Sequence, residues 1–386
     1  MSKEQDISQP PSAIERSPSG LSSPDHRTQL RERSRELSQN PSPIDVLRMS
    51  IPDKYVYIQD AGSGSYGHVF YCAPKEYIHK RSSVNVVRSK AVVIKVAKRA
   101  EDDDKGFIFR NALAREVETA GYFHGNLPEQ RDHEDLSLAD IFDYDRSCLD
   151  ELQCDWGCFE AIPSGLTLWT LCKATQRHGI RVTEELSFHF MRQITGALDA
   201  LHNLSQDGIV HRNVNPQNVM IRFPGRHPSR LPDAVLIDCG SVEFATPDLV
   251  KEDIKDTFGM LKFFNKAGWG CDVGHGTQEK PICSKGYLSG QEAYDKSSDM
   301  SGLDTSLHSP EWLDLQQWLS KDHIANADGE LKAMRYRFLP WTKKWQQEAV
   351  DRGGPSPKSL ELLRAAQQDA NSLSDDSIRA VLAKFE

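Results

Sequence analysis

No run of this 386-residue chain stays apolar for the roughly 20 residues that a bilayer-spanning helix needs, and residues 1–10 form no hydrophobic signal segment. These absences make an intracellular protein, cytoplasmic or nuclear, the expectation, with no membrane partner. CxxC pairs are missing as well, although the chain has eight cysteines. Without such pairs neither a zinc ribbon nor a dithiol redox motif is available, and free thiols are the default in a reducing compartment. Cys154 and Cys158 have the wrong separation for either. Cys271, His275 and Cys283 come nearest to a zinc-binding set, but their intervals match no structural zinc module. A cationic excess is also lacking: 47 Lys and Arg against 56 Asp and Glu give a formal charge of -9. That balance argues against a broad phosphate-binding face, and so against nucleic acid as a partner. No internal repeat is visible.

What is present is a succession of short patterned segments. Residues 1–49 are rich in Ser, Pro, Arg, Glu and Gln and cannot bury enough apolar surface to offset their ordering entropy, which predicts a disordered tail. Ser17, Ser23 and Ser42 each precede a proline, the dipeptide that proline-directed kinases modify, though such pairs abound in tails of this composition. Residues 55–58 read as a strand leading into Gly62-Ser63-Gly64-Ser65-Tyr66-Gly67-His68-Val69 and a second strand over 69–72. A glycine-rich turn is weak evidence alone. Here strand, turn and strand follow one another, whereas a dinucleotide-binding fingerprint would open a helix.

After a polar insertion over 75–90, residues 91–97 have a buried-strand pattern carrying one charge, Lys95. A lysine in such a run is costly unless its ammonium finds a partner. Glu116, in a helical stretch over 112–117, is the favoured candidate and Glu118 the competitor. The alternative is a strand-end lysine whose amine snorkels to water. A polar loop over 125–136 separates these from strands at 139–144 and 156–162. Thr183 is a plausible N-cap with Glu184 and Glu185 in the first turn, and Leu186, Phe190, Met191, Ile194, Leu198 and Leu201 share one helical face. Past the stretch 208–221, a turn at Pro224-Gly225 leads to a strand over 234–237 and then Asp238-Cys239-Gly240. A polar region spans 266–309, longer than a compact domain usually tolerates. A helix opens at Ser309-Pro310 with Trp312, Leu315, Trp318 and Leu319 apolar. Trp341, Trp345 and residues 359–385 suggest one or two more helices, separated by Arg352-Gly353-Gly354-Pro355.

In order and interval these pieces resemble the protein kinase superfamily over residues 55–321. The resemblance implies an α+β, bilobal fold: an N-lobe over 50–162 built on a small antiparallel sheet with one helix, and a larger, mainly helical C-lobe over 163–345. The polar insertion 266–309 lies within the latter, and a helical extension over 346–386 follows. It further implies that ATP and Mg²⁺ are the ligands. Gly62, Gly64, Gly67 and Val69 would cover the phosphates, with glycine required because backbone amides must approach without a Cβ. Lys95 would bind the α and β phosphates and pair with Glu116. Phe159 would be the gatekeeper, and the Glu160 carbonyl and Ile162 amide would meet the adenine edge, before a crossover at 163–166. His211, Arg212 and Asn218 resemble the catalytic loop, and Asn218 with Asp238 would hold magnesium.

The departures bear on function. Position 213, where the family has the catalytic aspartate, is Asn213, and a carboxamide has no comparable basicity at neutral pH. Asn215 replaces the lysine two residues on. Val93 narrows the adenine pocket relative to alanine, and Cys239 stands where a phenylalanine is usual. Only about a dozen residues, 241–252, precede the helix containing Thr257-Phe258-Gly259-Met260-Leu261, and no Ala-Pro-Glu occurs. The expectation is therefore a pseudokinase: an ATP-binding regulatory or scaffolding module with a protein partner. One alternative is a divergent serine/threonine kinase in which another carboxylate, such as one from the substrate, replaces the base. The other is a scaffold that binds no nucleotide.

Overall fold

The computed structural model describes residues 42–99, 103–126, 138–146, 153–203, 208–223, 230–266, 309–320 and 327–385. The polar stretch 267–308, the zinc-set candidates Cys271, His275 and Cys283, the Ser17 and Ser23 dipeptides and the turn at 224–225 all lie outside them. Residues 1–49 form a unit of their own. Its described end is not featureless: α1 (Pro43–Arg48) is a short helix, with the Ser42 hydroxyl accepting from the Asp45 amide and proline in the first turn. That capping corrects the expectation of an unstructured tail at this end.

Residues 50–386 form the second unit, which is α+β. Five antiparallel strands form one sheet in the order β1-β2-β3-β5-β4: β1 (Tyr55–Ser63), β2 (Gly67–Pro74), β3 (Val92–Ala97), β4 (Ile141–Tyr144) and β5 (Trp156–Glu160). Their β-branched and aromatic residues suit a pleated, half-buried surface. Between β2 and β3, in the expected polar insertion, lies a six-residue helix, α2 (Val84–Ser89), capped by Ser83 and anchored by buried Val87. The long α3 (Asp103–Asn126) carries Glu116. Among the described residues this part therefore has two α-helices where one was expected. Leu113, Ala114 and Val117 of α3 pack with Ala97, Cys154 and Phe159 of the sheet side.

The remainder is mainly helical around α5 (Glu184–His202), whose Leu186, Phe190, Ile194, Leu198 and Leu201 are fully buried. Thr183 caps it through its hydroxyl, as expected. Against α5 pack α6 (Pro247–Lys266) and α8 (Ala327–Arg352), and α4 (Leu168–His178), α7 (Pro310–Leu319) and α9 (Pro357–Asp369) contribute to the same core. The two acidic residues in the first turn of α5 do more than complement the dipole. Glu184 accepts from the amide and hydroxyl of Ser309, the N-cap of α7, at 2.8 and 2.7 Å. Glu185, 2 % exposed, accepts from the Ser356 amide and the Ser359 hydroxyl at the start of α9. The boundary expected at 345/346 falls inside α8, so the C-terminal segment is continuous with the helical part. It ends in α10 (Asp375–Leu382), which returns to the sheet, where Leu373, Ile378 and Val381 join a core with Ile58, Tyr71, Ala73, Ile78 and Val87. Among the described residues no helix is long and apolar enough to cross a membrane.

Four short strands complete the described fold: β6 (Ile209–Val210) pairs with β9 (Glu243–Phe244), and β7 (Val219–Arg222) with β8 (Asp233–Leu236). Gly208 turns the chain into β6 at φ 62°, and a Cβ there would lie 2.3 Å from the His202 carbonyl oxygen. Gly208→Ala is expected to lower unfolding stability by about 2 kcal/mol or more, from left-handed strain plus the clash. Urea denaturation checks this, and a loss below about 0.5 kcal/mol would show that the turn relaxes freely.

Candidate functional site

Between the sheet and the helical part lies a cavity of about 580 Å³. Its roof is the β1–β2 turn, closed by the Gly64 amide donating to the Gly67 carbonyl at 2.9 Å. Lys98 supports the turn, its ammonium donating to the Gly64 carbonyl at 2.6 Å. The cavity is lined by Gly62, Gly64, Val69, Lys95, Glu116, Glu160, Ile162, Asn218 and Asp238, nine of the residues singled out in the sequence. Val93, Phe159 and Cys239 line it too. Gly67 and Asn213 are not among the described lining residues. Gly67 opens β2 opposite Ala97, and Asn213 sits behind Asn218.

The most charged point is at the inner end. β3 carries Lys95 opposite Val69 on β2 and Gly157 on β5, and the side chain is 8 % exposed where it meets the cavity. Its ammonium donates to Glu116 Oε2 at 2.6 Å and to Asp238 Oδ1 at 2.5 Å. Glu116, not Glu118, is thus the partner, and the snorkelling alternative does not hold. Burial alone would lower the Lys95 pKa, but the Glu116 and Asp238 charges outweigh it and the ammonium is held well into the charged state. Glu116 feels the opposite balance. Its burial pushes it up to about 7 against the pull of Lys95, with Asp238 adding repulsion. For Asp238, burial also pushes upward, yet Lys95 prevails and holds the carboxyl below its usual range.

Asp238 has a left-handed backbone, φ 66°, leading into a 3-10 turn over Cys239–Ser241 on which α3 rests; Gly240 approaches the Ala112 carbonyl there. The turn thereby couples the position of Glu116 to that of Asp238. Burial, reinforced by Glu116 and Asp238, pushes the Cys239 thiol far up, so it is neutral and unreactive as a nucleophile. At the outer end Glu160 pairs with Arg222 at 2.6 Å, and burial raises its pKa against that pairing.

The stretch 208–218 forms the floor. Asp253, 1 % exposed on α6, accepts from the amides of His211 at 2.6 Å and Arg212 at 2.7 Å and from His202 Nε2 at 3.2 Å. Arg212 is held with φ 64°, and its guanidinium pairs with Glu252 and, at 3.4 Å, with Glu243. The Asn213 amide donates to His211 Nδ1, which leaves Nε2–H to donate to the Ile237 carbonyl. Desolvation lowers the His211 pKa, consistent with this neutral ring. Asn215 is integral to the turn: its Oδ1 accepts from the Gln217 and Asn218 amides, and its Nδ2 donates to Asn213 Oδ1 at 2.8 Å.

Asn218 donates through Nδ2 to the Asn213 carbonyl at 3.0 Å, which leaves its Oδ1 as the atom able to face a cation. Among the described residues no group of three or more His, Cys, Asp or Glu could hold a metal ion. One carboxylate and one carboxamide fit a magnesium ion only if phosphates supply further oxygens, the usual way such an ion is bound at nucleotide sites.

Sequence reasoning missed Asp253, Arg222 and Asn371, the last of which touches the roof. Asp253 had a signal, a carboxylate four residues before Thr257 on an otherwise apolar face. Asn371 had none. Comparison with models of known protein families and with curated protein sequences finds no match for the chain.

Proposed function

We propose that this chain is a protein-kinase-like nucleotide-binding module of pseudokinase type, which takes ATP into the cavity between its two parts and serves a protein partner as a regulatory or scaffolding element. The observation that carries this reading is the Lys95 ammonium, bridged to Glu116 and Asp238 at the inner end of a glycine-roofed cavity. A buried cation held by two carboxylates beneath a glycine turn is suited to receive phosphate oxygens, and so costly an arrangement is rarely retained for packing alone. The Glu160–Ile162 edge at the other end is where an adenine would lie.

Weak or absent phosphotransfer is supported by three features. Asn213 cannot act as a base, and general acid–base terms are worth about 10² to 10⁴ in rate. Asn215 is committed to the turn by four hydrogen bonds and offers no cation to a phosphate. The segment after Gly240 is shorter than the sequence suggested, because α6 already begins at Pro247 and only residues 241–246 intervene. That leaves little ledge on which to present a substrate hydroxyl.

Thermal denaturation with ATP, with and without Mg²⁺, is the test. At 100-fold excess over Kd the ligand adds about 2.7 kcal/mol, a rise of roughly 2 to 4 °C. Phosphotransfer to the chain itself or to a generic protein should be absent in wild type. Transfer by wild type that Lys95→Met abolishes would make the protein a divergent kinase, and no shift at millimolar ATP would leave a scaffold without nucleotide.

A further inference from the structure

The C-terminal arm touches the roof of the cavity. Between α9 and α10, residues 370–374 cross the connection at 163–166, with the Leu373 amide donating to the Pro163 carbonyl at 3.0 Å. The approach is so close that a Cβ on Gly165, φ 59°, would lie 2.2 Å from the Asn371 carbonyl oxygen. Beyond it the arm caps the open edge of β1. The Asn371 carboxamide donates to the carbonyls of Asp60 at 3.1 Å and Ala61 at 2.8 Å. Gln59 answers, donating to Ser372 O at 2.9 Å and accepting from the Ser374 amide at 3.0 Å. β1 is the edge of the sheet, and its pairing with β2 shifts register between Asp60 and Gly62. At such an irregularity the ladder does not satisfy the backbone, and the arm supplies donors at that point. Ala61, Gly62 and Gly165 are themselves cavity lining.

We infer that Asn371 is a positioning residue for the site: by holding the Asp60 and Ala61 carbonyls to the 163–166 connection, it fixes the height of the glycine turn and so slows release of the bound nucleotide. This rests on the nucleotide reading above for its ligand, but the fixing of the turn stands on the contacts alone. The arm is anchored at its far end by Arg88 pairing with Asp375 at 2.5 Å and by Leu373, Ile378 and Val381 in the sheet core. Loss of the Asn371 contacts therefore frees the turn without detaching α10.

The test compares the full-length wild type with Asn371→Ala, with the double variant Gln59→Ala/Asn371→Ala, and with Arg88→Ala, whose ion pair lies away from the cavity. Hydrogen exchange of the nucleotide-free proteins should show amides 61–67 opening about three- to tenfold faster in the first two and unchanged in the third, the size expected from losing a few partly exposed hydrogen bonds. Release of an N-methylanthraniloyl ATP should accelerate by a similar factor. Equal exchange at 61–67 with a lowered melting temperature would make the arm merely structural and overturn the inference. If wild type binds no labelled ATP, the nucleotide reading fails, and the exchange data alone then decide whether Asn371 fixes the turn.

Discussion

Lys95→Met should cost about 3–5 kcal/mol of unfolding stability at pH 8, because it removes the cation that bridges buried Glu116 and half-buried Asp238 while leaving both carboxylates in place. Most of that loss is the cost of two uncompensated charges, so it should depend on pH in a direction opposite to ordinary acid denaturation. Glu116 has a folded-state pKa near 7 against a reference of 4.5 even with Lys95 beside it, and burial is the leading cause. A carboxyl raised on folding contributes stability that is complete below its unfolded value and is lost as pH rises through its folded value. Removing Lys95 takes away the downward pull and shifts that window further up. The variant should therefore recover toward wild type between pH 8 and pH 5 and be weakest above pH 7. Asp238 changes in the other sense, since the lowering that Lys95 imposes is a contribution present at neutral pH and lost on acidification, and the variant lacks it. Urea denaturation of both proteins at several pH values separates these effects. A variant equally destabilised at pH 5 and pH 8 would show that Glu116 is not the strained partner. The same substitution should abolish any rise in melting temperature with ATP.

How much of this was legible beforehand follows from which forces are local. Lys95 stood out because one charge in an apolar strand must be answered by something, and an α-helical glutamate was the nearest supply. The caps at Thr183 and Ser309 were legible because capping is written within three or four residues, and both hydroxyls accept as expected. By the same local rules α4 carries both end signals, Thr167 as N-cap and Gly179 with φ 64° at its end. That helix was nevertheless not foreseen. α2 was harder, since six residues hold a helix only when packing helps, and its Val87 is buried among residues from β1, β2 and the distant C-terminal arm. The boundary drawn at 345/346 failed for a related reason: α8 continues through it, with Pro340 inside the helix. Contacts spanning more than 300 residues, such as Asn371 with Ala61, leave no periodicity or spacing to detect.

Asp253→Ala is the substitution expected to damage the floor of the site most while touching no part of the cavity. The carboxylate is 1 % exposed and accepts three hydrogen bonds from buried or half-buried groups, two of them backbone amides at 2.6 and 2.7 Å. Each amide left buried without a partner costs about 1–3 kcal/mol, so the loss should be about 3–5 kcal/mol once His202 is included. The second consequence concerns conformation. Arg212 holds φ 64°, a region a non-glycine residue keeps only when its surroundings over-determine it, and the Asp253–Arg212 bond is part of that determination. With it gone, residues 208–218 should relax, and their amides should exchange faster by more than the global stability change predicts. Asp253→Asn should be milder, because one carboxamide oxygen can still accept while the NH₂ meets a donor. A ladder of wild type, Asn and Ala in both urea denaturation and hydrogen exchange would bear this out. An Ala variant within 1 kcal/mol of wild type would mean that the loop is held by Asn215 and the His211–Ile237 bond instead, with Asp253 only filling space.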